Sequence, residues 1–188
     1  MNHIGTKVLL TERLILRKLK MSDAQDMFDN WASDDEVTKY LTWPTHASVQ
    51  DAKDFISFLS ENYVRRDFYC WGIELKEIGQ VIGSISVNNH NDDIGSAHIG
   101  YCIGREWWRK GIASEAFSAV IEFLMKEVCV NRIESRHDCR NPHSGKVMEK
   151  CGLKLEGTLR QSDKSNAGIY DYAWYGLLRD EYLVGHQK

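Results

Sequence analysis

The sequence predicts a single α/β domain of 188 residues. Segments with the alternating pattern of strands and segments with the 3.6-residue spacing of helices follow one another in the order β-α-α-β-β-β-α-β-α-β-β. No change in composition, no linker and no internal repeat divides this series. We therefore expect one domain over residues 1–188, with its core from about residue 8 to residue 178.

Alternation of apolar and polar side chains places the strands. The predicted strands cover residues 8–19, 68–75, 80–88, 96–104, 133–139, 153–159 and 169–178. Lys76–Gly79 is a turn sequence, so the strands on either side of it should form a hairpin. The polar segments 88–93 and 161–168 are rich in turn-forming residues and are predicted to be loops.

Capping residues and apolar stripes place the helices. The predicted helices cover residues 23–32, 35–40, 49–66, 111–128 and 141–151. Ser22–Gln25 has the pattern of a capping box for the first helix, and Ser48 should cap the third. Pro142 suits the first turn of the last helix, and Gly152 suits its left-handed end. Trp31 lies on an apolar stripe and is predicted to be core.

Composition excludes several classes of protein. The 24 basic and 27 acidic residues give a formal charge of −3, so the chain lacks the basic excess of nucleic-acid-binding proteins. No apolar run approaches the ~18 residues of a membrane span, and the N-terminal residues do not form a signal peptide. Five scattered cysteines without a C-x-x-C pair indicate reduced thiols. We expect a cytoplasmic monomer or homodimer that binds neither nucleic acid nor membrane.

The most informative segment runs from a strand through Gly104–Gly111 into the strongest helix. Unpaired N–H groups and the helix dipole make such a helix start an anion site, and the small Ala113 and Ser114 let a phosphate approach the backbone. Arg109 and Lys110 would add positive charge. The alternative is a plain turn that needs glycine for its backbone angle. The segment has neither the G-x-G-x-x-G pattern nor a Walker loop.

The sequence Trp108-Arg-Lys-Gly111-Ile-Ala113 resembles the acetyl-coenzyme A loop [QR]-x-x-G-x-[GA] of the GCN5-related N-acetyltransferases (GNAT), with Trp108 as a departure at the first position. The longer pattern from Gly100 to Ala116, the block Asn141-Pro-His-Ser144 and the opening 11–17 resemble the RimJ/RimL branch, the ribosomal-protein N-terminal acetyltransferases. The resemblance covers about residues 8–178.

This resemblance implies a mixed, mostly antiparallel sheet that opens into a V, with helices on both faces. It also implies that acetyl-coenzyme A is the co-substrate, with its pyrophosphate on the loop and its pantetheine between strands 96–104 and 133–139. The implied coenzyme-binding residues are Cys102, Ile103, Arg109, Lys110, Gly111, Ile112, Ala113, Ser114 and Asn141. Ser144 matches the residue placed near the sulfur.

Direct acyl transfer from the thioester to an amine needs a base for the ammonium and an acid for the thiolate. His98 is the predicted base, since imidazole titrates near neutrality, and it should share a strand face with Gly100 and Cys102. Ser144 is the predicted acid. The alternatives are a packed histidine and a capping hydroxyl. Asp163 is a further candidate, either for the base or for holding the amine.

Trp43, Tyr101 and Asp163 are the predicted acceptor-binding residues, and Glu134 is expected to be a surface charge. A protein N-terminal amine, of the ribosomal-protein type, is the first choice of acceptor. A small amine such as a polyamine, amino acid or aminoglycoside is the alternative, and an acidic wall built from the acidic residues at 34–36, 92 and 93 would favour a polycation. A coenzyme A-binding domain without catalysis is the alternative of another class.

No metal is predicted. His137, Cys139, His143 and Cys151 contain two of the usual zinc ligand types, but their spacing across a strand and a helix does not match structural zinc sites.

Overall fold

The computed structural model describes residues 1–185. They form an eight-stranded sheet with the strand order β1-β2-β3-β4-β5-β6-β8-β7. The strands are β1 (Leu9–Leu10), β2 (Leu14–Arg17), β3 (Cys70–Leu75), β4 (Gln80–Asn91), β5 (Ser96–Ile103), β6 (Arg132–Asp138), β7 (Lys154–Ser165) and β8 (Gly168–Leu178). The β5–β6 pair is parallel and the other pairs are antiparallel, so the predicted mixed sheet is confirmed.

Helices cover both faces of the sheet. They are α1 (Ala24–Met27), α2 (Asp35–Thr38), α3 (Val49–Asn62), α4 (Ile112–Phe123), α5 (Pro142–Lys150) and α6 (Arg179–Gly185). Turns of π-helix extend α1 through Phe28–Ala32 and α4 through Leu124–Val128. None of the helices within residues 1–185 is long and apolar enough to cross a membrane.

Two hydrophobic cores lie on opposite faces, because successive side chains of a strand point to opposite sides of a sheet. Trp71 and Ile82 face the core that contains α4 and α5. Their neighbours Cys70 and Val81 face the core that contains α1 and α3, where Trp31 is fully buried as predicted. The sheet is therefore held between the two helical layers.

The predicted N-terminal cap of the first helix is wrong. Ser22 is exposed and lies inside a short 3-10 turn, Met21–Asp23, and the buried Asp23 does the capping instead. Its carboxylate accepts from the Lys20 amide at 2.7 Å and from the Arg17 guanidinium at 2.7 and 3.0 Å. The predicted cap at Ser48 is confirmed, with the Ser48 amide 2.8 Å from the Asp51 carboxylate.

Both polar segments predicted to be loops are largely strand. β4 continues to Asn91, and β7 continues to Ser165 after a register shift between Leu159 and Asp163. Polar composition misled the prediction because these strands have exposed faces, which accept polar side chains without losing ladder hydrogen bonds. The first predicted strand divides into β1 and β2, and α6 was not predicted.

The two possible caps can be separated by a pair of substitutions. Asp23→Asn removes the charge that pairs with the half-buried Arg17, and we expect it to lower the free energy of unfolding by about 3 kcal/mol. Ser22→Ala should change it by less than about 0.5 kcal/mol, because Ser22 is an exposed residue with no capping role. Urea denaturation measures both, and equal losses would contradict this assignment.

Candidate active site

The site begins where β5 and β6 separate. The two strands pair in parallel at only three positions, the last of which joins His98 to Glu134. The Ser135 hydroxyl then donates to the Ile99 carbonyl at 2.8 Å, and beyond this contact β5 runs on to Ile103 without further pairing to β6. The sheet therefore opens into the V that the sequence resemblance implied.

The opening exposes main-chain groups along one edge of β5. The Gly104 amide bonds to the Ile82 carbonyl of β4, and Ser84 lies opposite Cys102. Because main-chain groups of an antiparallel strand point alternately to its two edges, those of Cys102 face β4 and those of Tyr101 and Ile103 face the gap. This edge of β5 is therefore free of strand pairing at Tyr101 and at the Ile103 amide, while the Ile103 carbonyl accepts from the Trp108 indole at 2.8 Å. The Cys102 backbone, predicted to bind the coenzyme, faces β4 instead.

The loop between β5 and α4 is shaped for an anion. Arg109 and Gly111 adopt left-handed backbone angles, with φ of 63° and 77°. The Gly111 carbonyl accepts from Glu115, which leaves the first three amides of α4, at positions 112–114, without partners in the helix. No side chain within residues 1–185 caps this end. The helix start predicted at Gly111 is confirmed.

The positively charged residues near the loop are only partly those that the sequence predicted. Arg109 lines the cleft, whereas Lys110 does not. Lys146 and Lys150 of α5 line it instead, and the Lys150 ammonium lies near Gly111, 4.0 Å from where a side chain there would begin. Sequence reasoning missed these lysines because they reach the loop only through the packing of α5 beside α4.

The opening residues 11–13 hold the loop in place, and we call these contacts the latch. Glu115, in the first turn of α4, accepts from the Thr11 hydroxyl at 2.5 Å, from the Arg13 amide at 2.9 Å and from the Arg13 side chain at 2.7 Å. The Arg13 guanidinium also donates to the Lys110 carbonyl at 3.0 Å. These bonds lower the pKa of Glu115 although its burial acts to raise it. Two motifs that are far apart in sequence thus form one structural unit.

The gap opens into a cleft of about 1060 Å³. One side is formed by α4 and α5, and the other by the segment after α2 and by the sheet face that carries His98 and Trp174. The β7–β8 hairpin closes over the segment after α2, with Asn166 and Ala167 donating to the carbonyls of Leu41 and Lys39 at 3.0 and 2.9 Å. The polar segment 161–168, predicted to be a loop, is therefore part of a hairpin that covers the second side of the cleft.

His98 lies in the cleft, as predicted, but the expectation that it titrates near neutrality is wrong. Burial and the positive charge of Arg136 lower the pKa of His98 to about 4. Its ring lies 5.3 Å from that of Trp174, and its Nε2 atom has no hydrogen-bond partner among the described residues. His98 is thus a neutral imidazole at pH 7, and its Nε2 atom is buried without a hydrogen-bond partner among the described residues.

Ser144 and Tyr101 meet on the other face of β5. The two hydroxyl oxygens are 2.8 Å apart, and the Tyr101 ring packs against Phe117 of α4. Tyr101 is therefore paired with Ser144 on the α4 and α5 side rather than on the face that carries His98, where an acceptor residue was expected. Asn141 precedes α5 and lines the cleft, and its side chain makes no capping bond.

The wall around His98 consists of paired charges and aromatic rings. The Arg136 guanidinium stacks on Tyr172 at 4.9 Å and pairs with Asp163 at 2.5 Å. Asp163 itself is not among the cleft-lining residues; it pairs with Arg136 and accepts from the Tyr170 hydroxyl at 3.1 Å. Glu134, expected to be a surface charge, lines the cleft and pairs with Arg132. Trp43 lines the cleft as predicted.

The cleft lacks the acidic wall that a polycation would need. Of the five acidic residues proposed for it, only Glu36 lines the cleft. Asp34 pairs with Arg105, and Asp92 with His3. The charged residues that line the cleft are Glu36, Glu134, Asp138, Lys39, Arg109, Arg136, Arg140, Lys146 and Lys150. Cations exceed carboxylates, and Asp138 is itself paired with Arg140.

The cysteine and histidine residues weighed for zinc do not come together. The His137 ring bonds to the Asp138 carbonyl, while Cys151 contacts Ser118 on α4. Within residues 1–185, no three of His137, Cys139, His143 and Cys151 bring donor atoms within reach of one ion.

Comparison with known proteins agrees with this geometry. Residues 13–154 match the acetyltransferase (GNAT) domain family. An uncharacterized N-acetyltransferase p20 of Bacillus licheniformis is 35% identical over 94% of this chain and 98% of its own length. The ribosomal protein uS5-alanine N-acetyltransferase of Escherichia coli is 23% identical over 79% of each chain.

Solved structures share the fold. A ribosomal L7/L12 α-N-protein acetyltransferase, RimL, in complex with coenzyme A, superimposes with a TM-score of 0.82 at 18% identity, covering 93% of this chain and 99% of its own. The splayed sheet, the loop and the family match define an acyltransferase site. The chain belongs to the GNAT acetyltransferase family and is an N-acetyltransferase.

The depressed pKa of His98 makes a prediction about stability. The pKa of a histidine in the unfolded chain is near 6.5. Between pH 6.5 and about 4, His98 is therefore protonated in the unfolded chain and neutral in the folded protein. This contribution is present above pH 6.5 and is lost as the pH falls through that window, by at most about 3 kcal/mol. Urea denaturation at several pH values should show a shallower loss between pH 6.5 and 4 for His98→Gln than for the parent. Identical profiles would contradict a buried, neutral His98.

Proposed function

We propose that this enzyme is a cytoplasmic N-acetyltransferase that transfers the acetyl group of acetyl-coenzyme A to the α-amine of a protein or peptide N-terminus. The neutral, unpartnered His98 in a cleft without an acidic wall is the observation that carries the choice of acceptor. Relatives named as ribosomal-protein acetyltransferases support the same class of acceptor.

The loop and the gap are suited to the coenzyme. The unpaired amides at the start of α4, with Arg109 and Lys150 beside them, would hold the pyrophosphate. Pantetheine would extend along the free edge of β5, where the Tyr101 backbone and the Ile103 amide are available, with the Asn141 side chain opposite. This binding mode would carry the thioester through the sheet to the face where His98 lies.

A weak base restricts which amines can react. An imidazole with a pKa of about 4 removes a proton poorly from an ammonium, so the amine must largely arrive neutral. At pH 7.5 roughly a third of N-terminal α-amines are neutral, against about one in a thousand lysine side chains. His98 would then accept a hydrogen bond from the attacking neutral amine and orient the lone pair of the amine towards the thioester. It would not be the base that converts the ammonium to the amine beforehand.

Ser144 is placed for the departing thiolate. The Tyr101 hydroxyl has two acceptors on Ser144, the hydroxyl oxygen at 2.8 Å and the main-chain carbonyl at 3.1 Å. When Tyr101 donates to the hydroxyl oxygen, the Ser144 proton is free for the sulfur. Burial raises the pKa of Tyr101, so the phenol stays protonated throughout. In this scheme the amine attacks the thioester carbon to form the C–N bond, the C–S bond breaks, and the thiolate takes the Ser144 proton. The acidic N–H of the acylated amine gives its proton through His98 to water, and water returns a proton to Ser144.

Matched peptides test the acceptor. Release of coenzyme A thiol should be fast with a lysine-containing peptide whose N-terminus is free. It should be at least about 100-fold slower with the same peptide acetylated at its N-terminus, because the remaining amine is almost wholly protonated. Polyamines and aminoglycosides should also be poor acceptors, because the cleft offers them no acidic wall.

Faster turnover of the blocked peptide or of a polyamine would contradict the proposed acceptor. For the free peptide, kcat/KM should rise with pH towards about 8 in both the parent and His98→Gln, because the amine sets this rise. A rise near pH 6.5 that disappears in His98→Gln would identify His98 as a titrating base instead.

The latch gives a separate prediction for the coenzyme. Glu115→Gln weakens the bonds to Thr11 and Arg13 that hold the loop, and we expect KM for acetyl-coenzyme A to rise roughly tenfold with little change in kcat. Glu122→Gln, on the same helix but paired at the surface with Lys126, is the control and should leave KM unchanged. An unchanged KM in Glu115→Gln would show that the loop does not need the latch.

A further inference from the structure

A second group of chemically active side chains lies outside the cleft. The His3 Nε2 atom is 2.9 Å from a carboxylate oxygen of Asp92, and the His90 Nε2 atom is 3.9 Å from the same oxygen. The three donor atoms all lie within 4.8 Å of one another. Two imidazoles and one carboxylate are a common ligand set for zinc and related divalent ions.

The spacing suits a tetrahedral ion. Ligand bonds of about 2.0–2.1 Å at tetrahedral angles separate the donor atoms by about 3.3 Å. The two measured separations from Asp92, 2.9 and 3.9 Å, lie on either side of that value. All three donor pairs lie within 4.8 Å, and the exposed side of Asp92 leaves room for a water as fourth ligand.

Further contacts hold His3 in position. The other ring nitrogen of His3 lies 3.0 Å from the hydroxyl of the buried Tyr69, which fixes the orientation of the ring. Main-chain bonds of Asn2 to Val128 at 2.8 Å and of Gly5 to Arg66 at 2.7 Å hold the chain on both sides of His3.

The other two ligands lie on a rigid hairpin. His90 pairs with Ala97 in the β4–β5 ladder, and Asp92 follows at its turn. The ligands therefore come from two segments that are far apart in sequence and fixed in space. This separation explains why sequence spacing gave no sign of a metal, and the proposal departs from that prediction.

We propose that His3, His90 and Asp92 bind one divalent ion of the Zn²⁺ class, which fastens the N-terminal segment to the β4–β5 hairpin. The site is separate from the cleft, so its occupancy can be tested whatever the acceptor of the enzyme proves to be.

Titration of tag-free, chelator-treated full-length protein with ZnCl₂ tests the proposal. We expect one equivalent to bind, to raise Tm, and to slow hydrogen exchange of the amides near His3. His90→Ala and Asp92→Asn should each weaken Zn²⁺ binding by at least 10–100-fold. Asp93→Asn removes a neighbouring exposed carboxylate that does not belong to the group, and it should bind like the parent.

Two further variants, at Tyr69 and His3, test whether the ion is bound by the proposed group of three ligands. Tyr69→Phe keeps the buried ring but removes the hydroxyl that contacts the His3 ring and accepts from the Ile4 amide, and it should also weaken binding by roughly 10–100-fold. Absence of stoichiometric binding in the parent would overturn the proposal. So would binding that is lost in His3→Ala but survives both His90→Ala and Asp92→Asn, since this pattern indicates chelation by the N-terminal backbone and His3 alone.

Discussion

The separation of β5 from β6 is the constraint on which the rest of the site depends. Three paired positions and the Ser135–Ile99 hydrogen bond hold the strands together at one end, and no pairing joins them beyond it. A closed sheet would satisfy the edge of β5 with a neighbouring strand and would leave no path between its faces. The open sheet provides a backbone edge for an extended ligand and lets one molecule reach both helical layers.

The two faces of β5 then divide the chemistry. Tyr101 points towards α4 and α5, where Ser144 and the loop lie, while His98 points to the face with Trp174 and Arg136. Alternation along the strand alone produces this division. In the proposed mechanism, this division places Ser144, the acid for the thiolate, on one side of the gap and His98, the acceptor for the amine, on the other. The latch through Glu115 ties the start of α4 to the turn between β1 and β2.

Much of this could be predicted from sequence because it depends on local patterns. Gly111 at the start of α4, Ser48 as a cap and Trp31 in the core follow from spacing and propensity. What failed depends on tertiary context. The low pKa of His98 arises from burial and Arg136, and the position of the Lys150 ammonium near Gly111 arises from helix packing. Polar strands such as β7 are read as loops because the ladder that orders them involves a distant segment.

A crystal structure of the enzyme with acetyl-coenzyme A would show whether the coenzyme binds in the gap between β5 and β6. We expect pyrophosphate oxygens on the amides at positions 112–114, pantetheine along β5 at Tyr101 and Ile103, and the thioester carbon between Ser144 and His98. Coenzyme bound elsewhere, or strands β5 and β6 paired to their ends in the complex, would contradict this expectation.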